Sequence, residues 1–305
     1  MQLGDLRRLT GRFASPARLR RSVAAAWAAP SGVTLRARAR WSQGSLLGDA
    51  PVVVSMTSYG RRLRTVHLAL ESIGGGRERP RRLILWLYES VLADPPPALA
   101  RLRARGLEIL PTADWGPHKK YYPYAASLPP GERHRVPLVT ADDDVLYGYR
   151  WLAALLARHR RHPADVIAHR AHRIVLVDGR IAPYSRWADL GYDEAGPRTF
   201  ATGHSGVLYP PAMLDALRAA GTGFTACAPH ADDVWLHVNA LRAGITVRPV
   251  SDGLTTYRSV PRTGWSGLRS QNVLGGGNDK QIAATYRPGE VELLWRDQLA
   301  ARARG

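Results

Sequence analysis

One cysteine, Cys227, occurs in 305 residues, which excludes an intramolecular disulfide and any cysteine-rich metal site. The fold must stand on packing alone, as intracellular proteins usually do, and a cytoplasmic location is the expectation. Lysine is almost as scarce. Of 43 Lys+Arg only Lys119, Lys120 and Lys280 are lysine, so arginine is the default surface cation and the placement of lysine is the informative one. Asparagine occurs only at Asn239, Asn272 and Asn278. No apolar run approaches the length of a membrane span; residues 23–30 are far too short. Acidic residues are few as well, 25 against 43 cations, and the net charge of +18 favours phosphates, nucleic acid or an anionic membrane face without choosing among them.

Residues 1–50 read as a basic N-terminal extension, with nine arginines against Asp5 and Asp49. Arg7, Arg8, Arg12, Arg18, Arg20 and Arg21, interleaved with Leu3, Leu6, Leu9, Phe13 and Leu19, suit a basic amphipathic helix on anionic lipid. Pro16 and Pro30 interrupt the helical periodicity, which leaves a basic tail as the alternative. A cleavable signal is disfavoured because no continuous apolar stretch follows the charges. The membrane partner in question is the inner membrane face.

Organised sequence is expected from Pro51. Val52-Val53-Val54-Ser55 is a short β-branched run of the kind buried in a parallel sheet, ending in Thr57-Ser58-Tyr59-Gly60. Leu63, Val66, Leu70 and Ile73 keep helical spacing up to Gly74-Gly75-Gly76. A strand at 83–88, a helix at 97–105, a strand at 107–110 and a strand at 136–139 continue the alternation, and Leu152, Leu155, Leu156 and His159 mark another helix. Right-handed crossovers turn such a series into a parallel sheet covered by helices, with ligands at the carboxyl ends of the strands. Residues 174–177, Asp178-Gly179 and 180–182 read as a hairpin, so the second half adds antiparallel strands. The expected fold class is α/β, a Rossmann-like mixed sheet flanked by helices in one main domain over 51–250, with 251–305 a loop and helix completing the site. Gly275-Gly276-Gly277 reads as a mobile loop.

Asp142-Asp143-Asp144 follows the strand at 136–139 directly. Three aspartates repel one another and are costly to hold unless something positive binds there, for which Mg²⁺ or Mn²⁺ is the usual answer. On an extended segment Asp142 and Asp144 share a side and Asp143 faces away. The alternative is a solvated acidic loop or a helix cap. Pro117-His118-Lys119-Lys120-Tyr121-Tyr122 places two of the three lysines beside two tyrosines, a compact charge for phosphate and an aromatic face for a base or sugar; an exposed basic turn is the plainer account. Thr57, Ser58, Tyr59 and Arg61-Arg62 stand at another strand end, where a nucleotide docks in such sheets. Thr202-Gly203-His204-Ser205-Gly206-Val207 lets backbone approach a ligand, or is only a tight turn. Asp232-Asp233 opens a helix; capping explains one acidic residue, and the second is free for proton transfer.

Taken in order, residues 52–59, Trp115 to Tyr121, Ala141 to Asp144, Gly203 to Gly206 and Asp232-Asp233 resemble bacterial glycosyltransferases of the GT-A fold, a nucleotide-diphospho-sugar transferase superfamily, over about residues 51–250. The resemblance implies transfer of a sugar from a nucleotide-sugar donor to a saccharide or glycolipid acceptor, in cell-surface polysaccharide or glycoconjugate synthesis. It also implies Asp142 and Asp144 as a DxD motif holding Mn²⁺ or Mg²⁺. Thr57, Ser58, Tyr59, Arg61, Lys119, Lys120, Tyr121, Asp143, Gly203 and Gly206 are then expected around the donor or the acceptor. Asp233 is implied as catalytic base beside Asp232. Many members add a late histidine to the metal shell, whereas this chain has none after His237; Asn278, Asp279 or water would have to replace it. The region 272–280 would then be a loop closing over the diphosphate.

Two rival functions remain at this level. In a haloacid-dehalogenase-type phosphatase Asp142 would be nucleophile and Asp144 acid in a DxDx(T/V) pattern, but position 146 is Leu146. A basic nucleic-acid-binding protein would use its arginines on phosphates, yet no helix-turn-helix, zinc-finger or RNA-binding aromatic motif appears, and no nucleic-acid partner is expected.

Overall fold

Along β1 (Ala50–Thr57), Val52, Val54 and Met56 pack into one apolar cluster and Val53 into another, and in β2 (Pro80–Tyr88) Leu83, Leu85 and Leu87 part from Ile84 and Trp86 in the same way. Successive side chains of a strand point to opposite faces, so both strands are buried on both sides, as central parallel strands must be. The computed structural model describes residues 31–92, 95–129, 131–189, 195–250, 257–260 and 276–303.

Helix α1 (Gly32–Trp41) precedes β1; α2 (Val66–Gly74), β2, α3 (Pro97–Arg103), β3 (Leu107–Thr112) and β4 (Leu138–Ala141) follow. After β5 (Val145–Leu146) come α4 (Trp151–Arg161), β6 (Val166–Ala168), β7 (Ala171–Arg173), β8 (Leu176–Val177), β9 (Arg180–Ile181), β10 (Ala188–Asp189), β11 (Thr199–Ala201) and β12 (Val207–Tyr209). Helices α5 (Pro211–Ala220) and α6 (Asp232–Arg242), strands β13 (Val247–Pro249) and β14 (Arg258–Ser259), and helices α7 (Gly277–Thr285) and α8 (Pro288–Ala303) complete the chain.

The central sheet has seven strands in the order β13-β6-β12-β4-β1-β2-β3. Strands β4, β1, β2 and β3 pair in parallel; β12 is antiparallel to both β4 and β6, and β13 is parallel to β6. With helices over both faces this is the single-domain, mostly parallel Rossmann-like α/β sheet expected from the alternation. The β8–β9 hairpin turns through Asp178 (φ 49°) and Gly179 (φ 72°), the two left-handed residues that a type I′ turn requires. Among the described residues no helix is long and apolar enough to cross a membrane.

Three boundaries differ from the sequence reading. Packed structure begins before Pro51: Leu35 and Ala39, one turn apart on α1, are buried, as is Leu46. Arg38 and Arg105 both pair with the fully buried Glu71, and Leu46 lies so close to Gly74 that a Cβ there would meet it at 2.5 Å. Arginine-rich composition hid this apolar stripe. Ala141 and β5 are joined through a turn, so Asp142-Asp143-Asp144 is not an extended segment. Gly276 (φ 67°) leads straight into α7, so 277–280 is helix rather than loop, while 272–275 lie outside the described residues.

Helices α7 and α8 close against the body. The Gln298 amide pairs with both backbone groups of Leu176 at 2.9 and 2.8 Å, and Arg198 meets Asp297 at 2.8 Å. The His230 backbone N–H donates to the Gln281 side chain at 2.8 Å, tying α7 to the segment that leads into α6.

Candidate functional site

The candidate side chains gather where β1 and β4 end, together with the loop before β12 and the first turn of α6. Three hydrogen bonds set the β1 side. Thr57 Oγ1 donates to the Trp86 carbonyl at 2.9 Å, Ser58 Oγ donates to Asp143 Oδ2 at 2.6 Å, and Ser55 Oγ donates to the Lys120 carbonyl at 2.6 Å. Trp86 Nε1 donates in turn to Ser55 Oγ at 3.0 Å. The Lys120 backbone is therefore pinned to the sheet through two side chains.

A 3₁₀ turn, Gly60–Arg64, carries the two arginines in different directions. Arg61 is exposed, whereas Arg62 turns inward, 2.8 Å from Asp143 Oδ1 and 3.1 Å from Asp144 Oδ2, with its guanidinium 5.5 Å from the centre of the Tyr59 ring. The dipeptide was visible in the sequence; the facing of a 3₁₀ turn, which selects Arg62 over the expected Arg61, was not. Asp143 is buried and held by Ser58 and Arg62, so it braces the turn between β4 and β5 rather than opening to a ligand. Burial pushes the Asp143 carboxyl above its usual range, against the pull of Arg62.

The two adjacent lysines also part. Gly116–Lys120 is another 3₁₀ turn, entered through Gly116 at φ 55°. Lys119 Nζ donates to Asp114, away from the acidic cluster, and holds that carboxyl below its usual value. Lys120 Nζ lies 2.7 Å from Asp142 Oδ1 and 3.6 Å from Asp232 Oδ2. Burial alone would lower the Lys120 ammonium; Asp142, then Asp232 and Asp233, outweigh it and hold the group well above the ordinary lysine value. Tyr121 was expected to offer a face to a base or sugar, but its ring is fully buried and its hydroxyl lies 2.7 Å from His118 Nδ1, so it belongs to the core.

The loop before β12 is held in a strained shape. Ser205 has φ 83° and Gly206 φ 99°, and Trp151 Nε1 donates to the Ser205 carbonyl at 2.7 Å. A Cβ on Gly206 would meet the Trp151 ring at 2.7 Å, so Gly206 is required by packing under the loop rather than by a ligand above it. Gly203 faces the site: its N–H donates to Asp233 Oδ1 at 2.8 Å, and a Cβ there would stand 2.9 Å from that oxygen. His204 Nδ1 is 3.9 Å from Asp142 Oδ2, with its side chain 40% exposed.

Asp232 and Asp233 occupy the first turn of α6, but Ala231 is the N-cap and no side chain caps the helix, so neither aspartate serves as a cap. Both gain from the helix dipole. Asp233 sits beside Tyr209 and Leu236; burial, then the charge of Asp232, push its carboxyl up to about 8, against the opposing pull of Lys120 and the Gly203 N–H.

Asp142 and Asp144 are the donors expected for Mn²⁺ or Mg²⁺, and the residues present do not fit a resident divalent ion. Asp142 already holds Lys120, Asp144 shares Arg62 with Asp143, and among the described residues no group of three or more His, Cys, Asp or Glu is arranged to hold a metal. Asp279, weighed as a substitute ligand, accepts from the Tyr184 N–H at 2.7 Å, and Asn278 is buried in α7.

The structure thus brings together Arg62, Lys120, Asp142, Asp144, Gly203, His204, Asp232 and Asp233, with Tyr59 beside Arg62. It leaves Lys119, Tyr121 and Gly206 elsewhere, and Thr57, Ser58 and Asp143 in bracing roles.

No protein-family model matches the sequence, and no curated protein matches it. Among solved structures the chain is similar to S. aureus TarS 1–349, with a TM-score of 0.42 and 17% identity over 68% of this chain and 59% of that one. It is similar also to TarS 1–349 in complex with UDP, with a TM-score of 0.41 and 15% identity over 68% and 59%. For S. aureus TarS itself the TM-score is 0.41 with 15% identity, over 68% of this chain and 36% of that one, so each alignment spans less than two thirds of the TarS chain concerned.

Proposed function

We propose that this protein is a glycosyltransferase that moves a sugar from a nucleotide-diphosphate donor to the hydroxyl of a saccharide or glycolipid acceptor. One observation carries the reading: Lys120 stands between the strand-end carboxylate Asp142 and the helix-start carboxylate Asp232, so cationic and acidic groups meet at the carboxyl end of a parallel sheet. That is where α/β sheets bind nucleotides. A transfer needs cations for the departing diphosphate and a base for the acceptor, and both lie within this cluster.

In the proposed reaction the acceptor oxygen forms a bond to the anomeric carbon. The bond from that carbon to the diphosphate oxygen breaks, its electron pair leaves on the diphosphate, and the hydroxyl proton passes to Asp233. Asp233 is suited to this because a base with its carboxyl near 8 binds a proton far better than an ordinary carboxylate does. The Gly203 N–H fixes one of its oxygens. Arg62 beside Asp144, and His204 beside Asp142, are further cationic or polar groups of the cluster. The arginines before α1 are proposed to hold the enzyme on an anionic membrane, where a glycolipid acceptor would be concentrated.

A thermal-shift panel tests the reading. A nucleotide sugar and its nucleoside diphosphate should raise Tm by mass action, while simple phosphomonoesters should neither bind nor be hydrolysed. Phosphate release from a phosphomonoester, with no nucleotide sugar shifting Tm, would replace glycosyl transfer with the phosphatase alternative.

A further inference from the structure

The least usual feature of the site is an enclosed lysine in a chain that otherwise uses arginine. Its Nζ is 2.7 Å from Asp142 Oδ1 at the end of β4 and 3.6 Å from Asp232 Oδ2 at the start of α6. A Cβ on Gly203 would stand 3.6 Å from the same nitrogen, and that position lies 2.9 Å from Asp233 Oδ1. Three elements therefore close around one ammonium group, and only 16% of the side chain is exposed.

We infer that Lys120 is the built-in cation of this site: its ammonium compensates the acidic cluster where a divalent metal would otherwise have to stand, and a metal enters Asp142 only by displacing it.

Three physical points support the assignment. An Mg²⁺-like ion asks for about six oxygens at about 2.0–2.1 Å, whereas Asp142 Oδ1 already lies at hydrogen-bond distance from a positive charge, and Asp144 is shared with Arg62. An ion on Asp142 would face the ammonium at close range and be repelled by it. The backbone that carries the ammonium is also held, because the Lys120 carbonyl accepts from Ser55 Oγ, which accepts in turn from Trp86 Nε1. Lysine suits the position because it is a compact point charge with three donors; the planar fork of arginine is a poor substitute between carboxylates on different elements. This explains why one of only three lysines among 43 cations stands here. As a positioning residue Lys120 also links the carboxylate at the strand end to the pair on α6. None of these contacts depends on the proposed transfer reaction.

Manganese binding to the full chain, read by the electron paramagnetic resonance signal of free Mn²⁺, tests it without recourse to activity. Wild-type protein should show no site tighter than about 1 mM that depends on Asp142, the weak end of oxygen-ligand cation sites. Lys120→Met should create a site at least about tenfold tighter, since a carboxylate cluster freed of its cation attracts one, and Asp142→Asn added to that variant should abolish the gain. Sub-millimolar Mn²⁺ binding by the wild type that disappears in Asp142→Asn overturns the inference, as does a folded Lys120→Met variant that binds Mn²⁺ no better. If Lys120→Met fails to fold, the wild type and Asp142→Asn still decide the question.

Discussion

Asp232 and Asp233 are neighbours on α6 in unlike surroundings. Asp232 faces Lys120, while Asp233 lies against Tyr209 and Leu236 with one oxygen on the Gly203 N–H. A base must be ionised to accept a proton, so with the Asp233 carboxyl near 8 the rate should rise with pH up to about 8 and level above it. Asp233→Asn should remove that rise and lower kcat by about 10² to 10⁴. The same raised value works against stability: relative to an ordinary carboxyl at 3.8, the stability present at low pH is lost as pH climbs through about 8. The amide keeps an acceptor for Gly203, so Asp233→Asn should melt at the wild-type temperature or higher at pH 8, and a clear fall in Tm there would contradict this account. At Arg62 the direction reverses. Arg62→Met strands the buried Asp143 and should cost about 3–5 kcal/mol in urea denaturation, as breaking one side of a buried pair does. Arg61→Met, on the exposed side of the same turn, should fall within about 0.5 kcal/mol of the wild type.

Helix α1 is at once anchored and exposed. Leu35 and Ala39 hold it, Arg101 Nε donates to the Ala39 carbonyl at 3.1 Å, and Ser31 caps its first turn. Its outward side carries Val33 and Trp41, 75% and 69% exposed, with the Arg40 guanidinium 5.6 Å from the centre of the Trp41 ring. Aromatic and basic groups of this kind suit the lipid headgroup region. Removing residues 1–30 and replacing Trp41 with Ser should release the protein from anionic vesicles while leaving transfer to a soluble acceptor intact; undiminished sedimentation with vesicles would reject membrane docking. A longer truncation, through residue 45, would also strip Leu35 and Arg38 from the body and uncover Glu71. The loop before β12 is anchored by Trp151 in the same sense. Gly206→Ala should cost at least about 1–3 kcal/mol from backbone strain alone, before the contact with Trp151 is counted, and equilibrium unfolding will measure it.

For the whole molecule, three histidines are built into the core as neutral groups. His118 bridges the Tyr121 hydroxyl and the Ala228 carbonyl, His169 bonds the Trp151 carbonyl, and His237 bridges Tyr286 and the Pro197 carbonyl. Burial pushes each down to about 4 from 6.5. Their folded values lie below their unfolded ones, so this stability is complete above 6.5 and is lost as pH falls towards 4. Each shift corresponds to about 3 kcal/mol at about 1.4 kcal/mol per unit. Asp233 opposes them over the same range by holding a proton in the folded state. For these four groups, three protons taken up by the unfolded histidines, less the one held by Asp233, leave about two taken up on unfolding. The urea midpoint should therefore fall steeply between pH 6.5 and 4, and a flat profile there would show that these histidines are charged in the fold.

Local pattern determined much of this architecture. The β-branched run at 52–54, the Asp178-Gly179 turn and the position of three aspartates after a buried strand each follow from side-chain periodicity or from the φ values a residue tolerates, which act over a few residues and need no partner. Patterns of that range cannot say which way a side chain faces once a 3₁₀ turn rotates it. Arg61 and Arg62, or Lys119 and Lys120, are interchangeable on paper, and only the packed chain sends one of each pair to solvent or to Asp114 and the other into the acidic cluster. The same holds for Tyr121, an exposed aromatic by its polar neighbours and a core residue beside His118, which stacks on Phe224, and for α1, whose Leu35 packs with Leu68, Leu146 and Val260 while its Arg38 reaches Glu71 and Gly74. What the tertiary structure alone decided is that Lys120 stands between Asp142 and Asp232, residues that lie 90 positions apart and meet because antiparallel pairing of β4 with β12 brings the Gly203 loop to the carboxyl end of β4, where the Gly203 N–H holds Asp233 and with it the start of α6.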